Sequence, residues 1–145
     1  MKTHQSTLWI TLLAGSVASA SAFGADVQAD VDGLASARGH VVCGIFGSAA
    51  GFPKDTDHTL KHVSVPASLS GVRCTFPDMP PGGYAISMFH DENDDGVLNT
   101  NFLGMPREGY GVSNNHTHAT QAPGFDESRF TVDTAPVELR IRLKY

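Results

Sequence analysis

The sequence is short of several features on which common protein classes depend. It contains two cysteines and no C-x-x-C motif, which argues against a thiol redox pair. It has no phosphate-binding loop and no dinucleotide fingerprint, and Asn115 stands where a nucleophile elbow around Ser113 would end in glycine. Lysine and arginine number 10 against 15 acidic residues, without a basic cluster. This balance argues against nucleic acid and anionic membrane surfaces as partners.

The chain has one extended hydrophobic run, close to the first residue. This run is too short to span a bilayer. Residues 8–13 are apolar except for Thr11, follow Lys2, and precede small residues that twice form the A-x-A pattern of a signal-peptidase site. A membrane helix needs about 20 such residues. We therefore expect residues 1–22 to be a cleaved signal peptide. Residues 23–145 would form one domain, periplasmic or secreted from a bacterium, without Trp9 and with a net charge of −6.

The two cysteines both fall in this exported domain. In an oxidising compartment an isolated pair is most simply one disulfide, Cys43–Cys74. Closing a loop of this length would stabilise the fold by roughly 3–4 kcal/mol on the chain-entropy model. The alternative is two separate thiols buried at core positions.

Alternation typical of β-strands runs through the chain, whereas helical periodicity is almost missing. It is clearest near the end, where Val137, Leu139, Ile141 and Leu143 alternate with charged residues. Further strands are predicted at residues 27–31, 40–46, 61–65, 72–76, 84–91 and 129–132, with one helical turn within residues 55–62. Seven short strands between Gly, Pro, Asn and Asp turns predict an all-β antiparallel sandwich, transthyretin- or immunoglobulin-like. Residues 99–126 carry little pattern, which predicts one long loop.

An acidic segment after the predicted strand 84–91 carries the most specific chemistry. Asp91, Asn93 and Asp95 occupy alternate positions, and Gly96 follows. This spacing allows three side-chain oxygens to converge on one hard cation while the glycine turns the backbone. The predicted calcium ligands are Asp91, Asn93, Asp95, the Val97 carbonyl, Asn99 and Asn101.

The predicted ligand set is incomplete, and it leaves alternatives open. Phe102 stands where an EF-hand places its bidentate glutamate, so we expect weak affinity, on the order of 10⁻⁴–10⁻³ M. Asn101, Glu108 or Asp126 could fold back to supply the missing oxygen. A plain Asx turn at Asp95-Gly96 without metal, or a different cation, would explain the same residues.

Histidines offer a second kind of chemistry. His58 and His62 would share a face if helical, and His116 and His118 would point the same way if extended. Either pair could offer imidazoles to zinc or copper, with solvated loop side chains as the alternative. His90 precedes the acidic segment, and we expect it to have a structural hydrogen-bonding role rather than a catalytic one.

A proline- and glycine-rich corner precedes the strand at residues 84–91. Prolines end the preceding strand, glycines permit positive φ, and Tyr84 would turn its ring inward with its hydroxyl free to hold the corner. This corner resembles those of transthyretin-like and carboxypeptidase-regulatory-like sandwiches. Together with the segment that follows, PPGGYAISMFHDENDDGVLNTNFLGMPREGYGVSNN, the chain resembles a bacterial exported family known as domain-of-unknown-function family 2141. The resemblance covers essentially the whole exported domain and implies no established activity.

These observations predict an exported, non-enzymatic binding or accessory module with a structural calcium loop. Its partner would be an envelope protein or a small ligand. Residues 107–110, with Phe102 and Met105 before them, would form an exposed, partly apolar recognition surface. The alternative is that Phe102, Leu103 and Tyr110 tuck the loop against the sandwich. The alternative function is a metal-dependent envelope enzyme that uses His90 and the acidic loop.

Overall fold

The structure, a computed structural model, describes residues 24–145; the predicted signal peptide lies outside them. The strands are β1 (Ala25–Asp32), β2 (His40–Phe46), β3 (Lys61–Pro66), β4 (Val72–Met79), β5 (Gly82–Asp91), β6 (Tyr110–Val112), β7 (Phe130–Val132) and β8 (Val137–Arg142). Two 3-10 turns, Thr56–His58 and Ser113–Asn115, and one short helix, α1 (Phe125–Ser128), connect them. Within the described range, no helix has the length and apolar character needed to cross a membrane.

The strands form two sheets, and the predicted all-β sandwich is confirmed. One sheet has the order β4-β1-β8, and the other has the order β3-β2-β5-β6, with β7 pairing to the beginning of β5. Side chains from both sheets make one continuous core. The residues of β1 and β2 that face this core are Ala25, Val27, Ala29, Val31, Val41, Cys43 and Ile45. They occupy alternate positions because successive side chains of a strand point to opposite faces.

A disulfide joins the two sheets through the core. Cys43 of β2 and Cys74 of β4 are both fully buried, with sulfur atoms 2.05 Å apart. The predicted pairing of the cysteines is therefore confirmed, and the alternative of two separate thiols is wrong.

Two features of the topology differ from the prediction. β1 and β8 pair in parallel, so the sandwich is not antiparallel throughout. Period-two alternation reports which face of a strand is buried, but it carries no information about strand direction. β6 is an eighth strand inside the segment predicted as one long loop. It has only three residues, too few for a visible period, and it forms by pairing with the edge of β5.

β5 is the longest strand and runs from the proline corner to the acidic loop. At its beginning the Tyr84 hydroxyl donates a hydrogen bond to the Pro80 carbonyl at 2.8 Å, which confirms the predicted corner. Ile86 and Met88 face the core as predicted. Phe89, on the opposite face, is also buried, so β5 is covered on both sides and presents its end, Asp91, from a rigid position.

Candidate functional site

The acidic segment folds into a compact loop directly after β5. The Asp91 carboxylate accepts hydrogen bonds from the backbone N–H groups of Asp95 at 3.1 Å and Gly96 at 2.8 Å. The Asp95 carboxylate in turn accepts from the Val97 N–H at 2.9 Å. Gly96 has a φ of 77°, a backbone conformation that glycine adopts without steric cost. The carboxylates at alternate positions therefore stabilise the turn by accepting hydrogen bonds from backbone N–H groups that follow them, as Asx residues do in tight turns.

The two predicted amide ligands lie in the same cluster. Asn93 Nδ2 donates to Asp95 Oδ2 at 2.9 Å and to Asn99 Oδ1 at 3.2 Å. Asn99 Nδ2 donates to Asp95 Oδ2 at 2.8 Å and to the Val97 carbonyl at 3.0 Å. Five of the six predicted ligand residues, Asp91 among them, thus belong to one hydrogen-bonded cluster.

Asn101 is the predicted ligand that the structure does not bring to this cluster. Its Oδ1 accepts from the N–H groups of Leu103 at 2.9 Å and Met105 at 3.1 Å. It therefore caps the next turn of the chain. Asp126, a second candidate for the missing oxygen, is exposed in α1.

Glu108 is the candidate that folds back onto the loop. The residue is 7% exposed. Its Oε1 accepts from the Glu92 N–H at 3.1 Å, and its Oε2 accepts from the Asn99 N–H at 2.9 Å. These two N–H groups stand at the beginning and the end of the acidic loop. Glu108 therefore holds both ends together with one charged group, and hydrogen bonds to a charged acceptor are stronger than neutral ones.

The remaining two acidic side chains of the segment turn away from the cluster. Glu92 pairs with Arg38 Nη2 at 2.6 Å, and Asp94 lies 2.6 Å from His40 Nδ1. Inside the loop, the hydrogen bond from the Asn99 side chain is the main reason that the pKa of Asp95 lies below its ordinary value. The charges of the segment are thus separated, because Asp91 and Asp95 face the cluster whereas Glu92 and Asp94 contact Arg38 and His40.

His90 is fully buried, and both of its ring nitrogens are engaged. Nε2 lies 2.7 Å from the Arg38 carbonyl, which can only accept, so this nitrogen carries the proton. In the neutral ring Nδ1 then accepts from the Tyr145 hydroxyl at 2.7 Å. That hydroxyl also accepts from the Ala35 N–H at 2.9 Å, and its burial raises the pKa of Tyr145. This chain of contacts fits the structural role predicted for His90.

Neither predicted histidine pair belongs to a metal-ligating group within residues 24–145. His58 ends a 3-10 turn whereas His62 lies in β3, so the predicted shared helical face is wrong. His118 Nε2 lies 2.7 Å from the Glu127 carboxylate, which makes this side chain part of a local ion pair. In the part of the chain covered by the structure, no three His, Cys, Asp or Glu side chains are grouped in a way that could hold a metal ion. The acidic loop differs in kind, since its oxygens include two amides and a backbone carbonyl.

A groove on the outer face of the five-stranded sheet lies beside the acidic loop, and sequence patterns did not predict it. Its floor consists of two rows of residues paired across β2, β5 and β6, namely Val42, Phe89 and Tyr110 in one row and Gly44, Ser87 and Val112 in the other. Leu98 and residues 103–106 and 118–123 contribute its walls, together with Pro53, Lys54 and Thr56, and its volume is about 170 Å³. Three strands and three loop segments build the groove, so no local sequence pattern could predict it. The apolar residues near Met105 were the one sequence signal of its position.

The apolar residues of the loop segment do not behave as one group. Phe102 is 96% and Leu103 71% exposed, so the interpretation that they tuck the loop against the sandwich is wrong for both. Tyr110 is half-buried and lies opposite Phe89 in the sheet, which agrees with that interpretation. An apolar surface therefore remains open to water next to the groove.

The fold and the site define a class of protein: an all-β sandwich with a disulfide between its sheets and a polar, Asx-rich loop at the end of its central strand. The family model described as "Uncharacterized protein conserved in bacteria (DUF2141)" matches residues 29–140, and the chain belongs to this family. No curated protein and no solved structure matches the chain significantly. The resemblance of the Tyr84 corner to transthyretin-like sandwiches stays a prediction.

Proposed function

We propose that this protein is an exported, non-enzymatic binding or accessory module of the bacterial envelope, and that residues 91–99 hold a structural calcium ion. The observation that supports the proposal is that Asp91, Asn93, Asp95, Val97 and Asn99 belong to one hydrogen-bonded cluster with oxygen-bearing groups at every position. Carboxylate, amide and backbone carbonyl oxygens are the ligands that calcium takes in proteins.

The side-chain amides of Asn93 and Asn99 explain how a cation could replace the hydrogen bonds of this cluster. Asn93 and Asn99 each direct an NH₂ group at oxygens of the loop, where positive charge is favoured. Rotation of an amide by 180° exchanges its donor for an acceptor oxygen. The same residues then present oxygens to a divalent ion, which takes over the attraction that the N–H donors supply.

A calcium ion at this position would act on the neighbouring apolar segment. Asn99 begins a narrow hairpin in which its carbonyl accepts from the Arg107 N–H at 2.8 Å, and the Asn101 N–H donates to the Met105 carbonyl at 2.8 Å. Glu108 then returns the chain to both ends of the loop. Fixing the loop therefore fixes the base of the hairpin that carries Phe102, which suits a recognition role better than a catalytic one.

The proposal is tested by thermal unfolding of the exported domain in excess calcium and in a chelator. Calcium that binds only the folded state raises the melting temperature, because it shifts the folding equilibrium by mass action. Asp95→Asn should abolish that increase, because it removes one charge from the cluster. The matched control is Asp94→Asn, which removes a charge from the adjacent residue that faces His40, and it should retain the increase.

The outcomes separate the calcium loop from a bare turn. An unchanged melting temperature for the unaltered protein, together with no calcium in protein purified from the periplasm, would contradict the ion site. Export is tested independently by cell fractionation and by the intact mass, which should correspond to a chain that begins at Phe23.

The alternative, a metal-dependent enzyme that uses His90, has weaker support. A catalytic imidazole needs a ring nitrogen available to a metal or to a reacting group. Here Arg38 and Tyr145 occupy both nitrogens of a fully buried ring. Retained folding and retained calcium response in His90→Gln would agree with the binding module.

A further inference from the structure

We propose that the groove over the outer face of β2, β5 and β6 is a binding site for a small carboxylic acid with an apolar or aromatic body. The inference names a ligand class for the proposed binding module, and therefore rests on that proposed function. It does not require the proposed calcium ion, because none of the proposed ligands lines the groove.

The size of the groove sets the scale of the ligand. Its volume of about 170 Å³ is close to the apolar cavity of about 150 Å³ that accepts one benzene ring in another protein. The floor is lined by Val42, Phe89 and Val112. A single ring or a short aliphatic chain fits these dimensions, whereas a folded partner domain does not enter them.

The walls leave apolar side chains in water that a ligand would cover. Leu103 and Met105 line the groove, yet they are 71% and 47% exposed. Pro106 and Pro123 line it as well and have fixed φ angles, so the walls keep their shape without a large loss of backbone entropy. Burial of apolar ligand atoms against these side chains supplies the favourable free energy of binding.

The charge of the lining selects an anion. The whole sequence is acidic, but neither aspartate nor glutamate is among the residues that line the groove, whereas Lys54 is. No ion pair or hydrogen bond of the Lys54 ammonium occurs within residues 24–145. The nearest acidic residue in sequence, Asp55, is committed to the Asp57 N–H at 3.0 Å and to His58 Nδ1 at 2.9 Å.

His118, the other ionisable side chain with basic character in the lining, does not change this preference. Its Nε2 lies 2.7 Å from Glu127 Oε1, so the charge of a protonated ring is balanced locally. The Glu127 carboxylate also accepts from the Gly124 N–H, and that hydrogen bond is the main cause of its lowered pKa. Lys54 therefore remains the group that a ligand carboxylate would meet at the rim.

The experiment uses three probes of one shape and different charge: phenylacetate, neutral phenylacetamide and cationic phenethylamine. Amide chemical shifts of the complete exported domain are followed during each titration, with calcium and again with chelator. We expect phenylacetate to bind about twofold to fivefold more tightly than phenylacetamide, the range of a solvent-exposed charge pair. The shifts should concentrate at Val42, Ser87 and Val112.

Two pairs of variants locate the interaction. Lys54→Met should remove the preference for the anion, whereas Lys54→Arg should retain it. Leu103→Ser should weaken all three probes, because it removes apolar area from a wall. Phe102→Ser is the matched control, since Phe102 is even more exposed but does not line the groove, and it should leave the affinities unchanged.

Several results would overturn the proposal. These are no shift with any probe at millimolar concentration, equal affinity for all three charges, or shifts away from the floor residues. Sedimentation of the protein with anionic vesicles without binding of the free acid would assign the groove to a membrane surface instead. A dimer that buries Leu103 would assign it to a second copy of the chain. Because calcium is measured separately by its effect on the melting temperature, failure of either proposal is recognised independently of the other.

Discussion

The inner and outer faces of the five-stranded sheet are built on the same strands but are held by different forces. On the inner face Ile45 and Ile86 are fully buried against the opposite sheet, and the Cys43–Cys74 bond crosses the core. On the outer face Val42 and Ser87 are half-buried beneath loop segments. Apolar burial contributes roughly 25 cal/mol per Å², whereas each hydrogen bond contributes about 0.5–1.5 kcal/mol net.

This difference means that the inner face provides the stability of the domain, whereas the outer face can change. Removal of a loop contact costs little compared with removal of a core contact, so the outer face can change its loops while the sandwich stays intact. The acidic loop stands at the boundary between the two, because Asp91 belongs to β5 and Glu108 to the returning segment.

The largest effect is expected from removal of the bond between the sheets. The double substitution Cys43→Ala with Cys74→Ala should lower the free energy of unfolding by about 3–4 kcal/mol, since the unfolded chain regains the entropy of an open loop. Denaturant unfolding measures this change. Ligand-induced shifts in the groove should survive below the unfolding transition, and their loss would show that the outer face depends on the inner one more than proposed.

A smaller effect is expected at the boundary between the two faces. Glu108→Gln exchanges one acceptor oxygen for an NH₂ group opposite a backbone N–H. This change should lower the free energy of unfolding by about 1–3 kcal/mol. Amide hydrogen exchange should accelerate most at Glu92 and Asn99. Glu138→Gln on the exposed side of β8 serves as the control and should change neither quantity. Equal effects of the two substitutions would contradict the assigned role of Glu108.

A still smaller change is expected from the polar residue on the floor of the groove. Ser87 Oγ donates to the Pro53 carbonyl at 2.7 Å. Ser87→Ala should therefore lower the free energy of unfolding by about 1 kcal/mol, measured by denaturant titration. Ser64→Ala on β3, whose side chain is exposed, should have a negligible effect. A loss as large as that of the disulfide variant would show that the outer face is as rigid as the core.

The smallest effect is expected in the dependence of stability on pH under acidic conditions. The pKa of Asp95 is lower in the folded protein than in the unfolded chain, chiefly through the Asn99 hydrogen bond. Its stabilising contribution is thus fully present above the unfolded value, about pH 4, and is lost as the pH falls through the folded value. Asp95→Asn should flatten the acid limb of a plot of stability against pH. An identical limb in both proteins would count against the hydrogen-bonded cluster.

Strand positions could be predicted where the local pattern was strong. The bounds of β2 match the prediction from His40 to Phe46, and β8 begins at Val137 as predicted. β6 was not predicted because three residues are too few to show alternation of apolar and polar side chains. Its pairing depends on the edge of β5. The parallel pairing of β1 with β8 escaped for a different reason, since alternation is the same in either direction.

The candidate site was predicted in part. Asp91, Asn93, Asp95, Val97 and Asn99 are close in sequence, so their spacing already indicated a common cluster. Glu108 was one of three candidates to close the loop, and spacing gave no reason to choose among them. Its selection depends on how residues 100–107 reverse direction, a property of the hairpin and of its pairing with β5.

By itself the sequence determined the alternating strands, the all-β class and the identity of the polar residues on the loop, because these follow from patterns within a few residues. Only the tertiary structure decided that the cysteines meet, that Glu108 holds both ends of the loop, and that a groove lies over β2, β5 and β6. Those features join residues far apart in the chain, and the path of the whole backbone determines which of them come within a few ångströms of each other.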